Sequence, residues 1–140
     1  MAANTAPIYT ATPAIGWSQG YCTALNATAD LTSGTIYLIC TAGANGSFSR
    51  ALRFKATPAG NTTATVARIW INNGSTTTTA TNNTLFGEIS LPLVTASATA
   101  AQTDFEYPMN LPLPAGYKIY ITLGTASANG WAVSCLGGDY

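Results

Sequence analysis

ARIWINNGSTTTTATNNTLFGEISLP, residues 67–92, sets two alternating stretches on either side of an uncharged polar tip. In the first, Ala67, Ile69 and Ile71 alternate with Arg68 and Trp70. In the second, Leu85, Ile89 and Leu91 fall opposite Phe86, Glu88 and Ser90. Side chains on a strand point to opposite faces with a period of two, so both stretches read as half-buried strands. Residues 73–83 between them are Asn, Gly, Ser, Thr and Ala only. Their hydroxyls and amides hydrogen-bond locally or to water, and β-branched Thr holds the chain semi-extended. No group in this tip carries a proton or binds a metal near neutral pH. It is expected to be a surface finger, with Asn73, Thr77 and Asn82 as candidate contact residues.

The same alternation recurs along the chain. Leu52, Phe54 and Ala56 oppose Arg53 and Lys55. Phe105, Tyr107 and Met109 oppose Asp104 and Glu106. Tyr117, Ile119, Ile121 and Leu123 oppose Lys118, Tyr120 and Thr122, and Trp131, Val133 and Cys135 share a face. TIYLICTAG, residues 35–43, is an apolar run of strand length, and a less regular strand is expected around residues 19–26. Gly, Pro and Asn clusters separate the runs, and no window has a helical period. The pattern predicts an all-β, single-domain antiparallel β-sandwich of about eight strands. A jelly roll is the expected arrangement and an immunoglobulin-like sandwich the alternative. Residues 1–13 are expected to form an extended N-terminal arm, and residues 14–140 the sandwich.

Composition narrows the function. Charged residues are 7% of 140, five basic against five acidic, where an average domain has about 25%. Five cations cannot form the stripe that neutralises nucleic-acid phosphates, so no nucleic-acid partner is expected. No run approaches the length of a spanning helix and no polybasic segment is present, so no membrane partner is expected. The first residues lack the basic and apolar regions of a secretory signal, which points to synthesis in a cytoplasm. A nearly neutral surface suits a protein that packs beside copies of itself.

Catalytic groups are scarce. The chain has no His, which removes histidine bases, histidine nucleophile pairs and histidine metal sites together. Cys22, Cys40 and Cys135 have no metal-binding spacing and read as small buried hydrophobes; a Cys22–Cys40 bridge between neighbouring strands is the other reading. Asp104 and Glu106 would sit roughly 6–7 Å apart on one strand face, a separation glycosidases use, but their face is the solvated one. No phosphate loop occurs. The five N-x-[ST] sequons, at Asn26, Asn45, Asn61, Asn73 and Asn82, read as products of Asn/Thr-rich turns. No catalytic residue, cofactor or metal is expected. Trp70, Phe86 and Tyr120 fall opposite the expected core, either covered by the chain itself or held at a subunit interface, where aromatics are enriched. Arg53, Lys55 and Arg68 are expected on outward faces, as solubilising charges or as donors to acids of a neighbouring chain.

TPAIGW, TAGANGS, LRFKA, ATVARIWINNG, NNTLFGEISLP, LPLPAGYKIYITLGT and the terminal GGDY, spread over nearly the whole chain, resemble a group of small virion-associated proteins of tailed bacteriophages. The resemblance implies a non-enzymatic virion component, a capsid decoration (cement) protein on the outer face of the head shell. Its implied partners are the major capsid protein and its own copies, as a homotrimer or other homo-oligomer. The alternative is a tail or fibre module that recognises a host-surface glycan.

Overall fold

The computed structural model describes residues 9–140. Eight strands follow one another: β1 (Thr12–Trp17), β2 (Tyr37–Thr41), β3 (Ser47–Ala56), β4 (Thr65–Asn72), β5 (Asn83–Leu91), β6 (Phe105–Leu113), β7 (Lys118–Leu123) and β8 (Trp131–Asp139). They form two four-stranded antiparallel sheets, ordered β1-β8-β3-β6 and β2-β7-β4-β5. The pairs are nested: β1 with β8, β2 with β7, β3 with β6 and β4 with β5. A long hairpin wound on itself gives this order, which is the jelly roll rather than the immunoglobulin-like sandwich.

The inward side chains are those the alternation picks out. Leu52, Phe54 and Ala56 meet Ala67, Ile69, Ile119, Ile121, Leu123, Trp131 and Val133 in one core between the sheets. Phe105 packs edge-on against Trp131 with ring centroids 5.6 Å apart. Each fully buried Leu, Ile or Phe contributes about 1.5–3 kcal/mol.

Four expectations are corrected. Residues 19–26 are not a strand; they touch the sheets only through bridges of Cys22 to Trp131 and Leu25 to Leu123. The eighth strand is β1 instead, and it takes in Thr12 and Pro13, which had been assigned to the arm. The arm's residues 1–8 lie outside the described residues. Strand β6 continues through Pro108 and Pro112 to Leu113. It tolerates both prolines because it is an edge strand, where a missing N–H breaks no ladder on its open side. Leu85, expected inside, is exposed. A bulge between Ile69 and Trp70 shifts the register so that Leu85 faces Trp70, which reverses the alternation from that point.

Candidate interaction surface

The outward faces of β4 and β7 are covered by the chain itself. Leu31, in the β1–β2 connection, is 1% exposed and packs on Trp70 and Tyr120 with Ile36 beside it. Asn26 holds this flap in shape. Its buried amide donates to the carbonyls of Asp30, Ser33 and Thr35 at 3.0–3.1 Å. The Trp70 indole donates to Thr122 Oγ1 at 3.0 Å, and burial pushes the Tyr120 phenol up. Trp70 and Tyr120 are therefore not exposed contact residues, because both rings form a second small core inside the chain. Asn26 is buried, so the first sequon is a structural element.

The outward charges pair along the sheets. Arg53 lies 3.8 Å from Glu106, Lys55 2.6 Å from Asp104, and Arg68 2.9 Å from Glu88. Arg53–Glu106 and Arg68–Glu88 are direct cross-strand partners. All three cations proposed as donors to a neighbouring chain thus have an acid within their own. Such exposed pairs contribute little to stability, and they also keep the faces neutral. The hydrogen bond and charge of Lys55 hold the Asp104 carboxyl below its usual range. A glycosidase acid needs the opposite shift. Among the described residues no three His, Cys, Asp or Glu side chains cluster to hold a metal.

The tip is compact. Asn72 and Asn73 donate side-chain amides to Asn83 and Asn82 across its neck, at 2.8 and 3.2 Å. Asn82 and Asn83 donate in turn to the carbonyls of Thr76 and Thr77. The asparagines thus satisfy the backbone, while Thr77 is half-buried and Asn73 exposed. Gly74, at φ +92, lies against the Gly116 carbonyl; a Cβ there would sit 2.8 Å from that oxygen. The tip therefore rests on the β6–β7 turn. Phe86 is 36% exposed and meets Tyr107 edge-on at 6.3 Å, closing the β5–β6 side of the sandwich.

A contiguous group of uncovered apolar side chains lies on the opposite side, where edge strands β1 and β2 face one another. Ile15 and Trp17 are about three-fifths exposed, at 61% and 59%. Tyr21 and Leu38 are exposed beside them. Two grooves of about 360 and 370 Å³ adjoin through Gln19 and Leu38, and no charged side chain lines either. Of the TPAIGW segment that supplies Ile15 and Trp17, Thr12 and Pro13 were expected in the arm and residues 14–17 in the sandwich with no strand of their own; the two outward apolar residues at i and i+2 were the available signal.

No family model matches the chain, and no curated protein matches it. Two solved structures do, those of the Gx and Gt strains of infectious bursal disease virus, each at 14% identity with a TM-score of 0.32. Both matches cover 98% of this chain, which spans only about a third of those chains, 35% and 36%. A likeness at this level carries no argument about function.

Proposed function

We propose that this protein is a non-enzymatic structural component of a virus particle, a decoration protein on the outer face of a tailed-phage head shell. Its partners are the major shell protein and further copies of itself, as a trimer or other homo-oligomer. The observation that carries the reading is the uncharged strip of Ile15, Trp17, Tyr21 and Leu38 along the β1–β2 edge. Exposed aromatic and aliphatic groups without charge are the composition of a protein-binding core. Phe86 and the tip, at Asn73, Thr77 and Asn82, supply secondary contacts. Jelly rolls recur in virus capsids, an analogy of fold that agrees with the phage resemblance. Many copies multiply a modest contact energy into firm attachment.

The test is the copy number of the chain per shell subunit in purified particles, together with a Trp17→Ser variant. A ratio near one, and loss of particle binding by a variant that melts like the wild type, supports the reading. Absence from particles, or full binding by the variant, refutes it. The exposed Trp17 ring beside the Gln19 amide favours one other reading, a glycan-binding tail module, since sugars stack on such rings. A few copies per particle with specific binding on a glycan array would replace the shell assignment.

A further inference from the structure

Cys40 and Cys135 come from strands of different sheets, yet they meet on the β1–β2 side. Two features of the backbone bring this about. A bulge between Leu38 and Cys40 shifts the β2 register against β7, which turns Cys40 inward beside Ile39. Gly16 of β1, the register partner of Cys135, lets β2 approach closely. A Cβ on Gly16 would lie 2.4 Å from the Ile39 carbonyl and 2.6 Å from Cys40 Cβ. Ser49 Oγ lies 3.1 Å from Cys135 Sγ. Both cysteines line one cavity of about 30 Å³ with Ser49, Asp139, Gly16 and Gly137. That volume holds a molecule the size of water or hydrogen peroxide.

We propose that Cys40 and Cys135 form a peroxide-oxidised dithiol site whose product is a disulfide between the two sheets. The Cys135 thiolate attacks one peroxide oxygen, the O–O bond breaks, and the leaving hydroxide takes a proton to become water. Cys40 sulfur then attacks the resulting sulfenic acid; an S–S bond forms, the S–O bond breaks, and a second water leaves with the Cys40 proton. Two electrons pass from the thiols to the peroxide. The neighbouring Cys40 and Ser49, as hydrogen-bond donors, bring the Cys135 thiol down against the effect of burial. The same partnership, with burial and the nearby Asp139, pushes Cys40 up. Cys22 is different: burial pushes it up to about 12 despite a hydrogen bond with Ser18, so it stays a thiol. The site adjoins the exposed strip, since Cys40 and Gly16 also line the groove of Ile15 and Trp17, and the bridge would pin β2 there.

The experiment treats the reduced full-length protein with a small excess of hydrogen peroxide and maps its thiols after denaturation. The expected mass change is a loss of about 2 Da, two hydrogens, with Cys22 left as the thiol open to alkylation. A peptide joining the segments of Cys40 and Cys135 is expected, and a Tm higher by about 10 °C. Cys22→Ser should bridge as the wild type does, and Cys40→Ser should not. Retention of all three thiols, gain of oxygen without a bridged peptide, or a bridge through Cys22 overturns the proposal. Should Cys40→Ser fail to fold, the wild-type peptide map decides alone.

Discussion

Replacing Leu31 by Ala tests whether the flap is part of the folded core. Leu31 is 1% exposed on Trp70 and Tyr120, which are themselves 9% and 8% exposed. Leu→Ala at a buried site costs about 2–5 kcal/mol, less where the surroundings collapse. A connection of this kind can settle inward, so about 3 kcal/mol is expected. An unfolding entropy of about 2.1 cal/mol/K per residue gives about 0.3 kcal/mol/K for this chain, so Tm should fall by about 10 °C. Acrylamide quenching of tryptophan adds a local readout. In the wild type Trp17 is the exposed indole, with Trp70 and Trp131 buried; in the variant a second indole, Trp70, should become accessible. A Tm within about 2 °C of wild type, with unchanged quenching, would refute the flap as a structural element.

Two further outcomes follow from the same geometry. Asn26→Ala removes the two N–H donors shared among three carbonyls and should cost about 2–3 kcal/mol; denaturant unfolding measures it, and a loss under about 0.5 kcal/mol would show that the flap holds without its tie. The Asp104 carboxyl is held low by Lys55, so its contribution to stability is present above the unfolded carboxylate pKa. It is lost as pH falls through the lower, folded value, and Asp104→Asn should remove that part of the acid-side decline in Tm. An unchanged decline would mean that Lys55 does not stabilise the folded carboxylate.

The strands were legible because most have one face in the core and one in water, which writes a period of two into the sequence. Leu52 to Ala56 and Tyr117 to Leu123 point inward as that period requires. The period fails where both faces are buried. Trp70 and Tyr120 look like outward residues, but Leu31, with Ile36 beside it, covers them from a polar connection, and such isolated residues have no periodicity. Leu85 was misplaced because a bulge beside Gly87 reverses the faces, and the one local mark, a glycine inside TLFGEISLP, was read through as part of the alternation. The β1–β2 strip was missed for the converse reason. Ile15 and Trp17 alternate as a buried face would, yet none of the described residues covers them. The ion pairs were half legible: the charges were placed on outward faces, but their partners depend on which strands are neighbours. The thiol pair was hidden for the same reason, since Cys40 and Cys135 meet only through a bulge and a glycine.

The nested pairing has a consequence for how the chain comes into being. Strand β8 lies between β1 and β3, so an interior strand of that sheet is the last of the eight to leave the ribosome. Until residues 131–139 emerge, β1 has no partner and β3 has only β6. Early folding then falls to β4 and β5, whose pairing closes the shortest loop, and completion waits on contacts between distant parts of the chain. A ribosome stalled before Trp131 would hold a chain with two open edges in place of a filled sheet, the condition in which strands pair with the wrong partner.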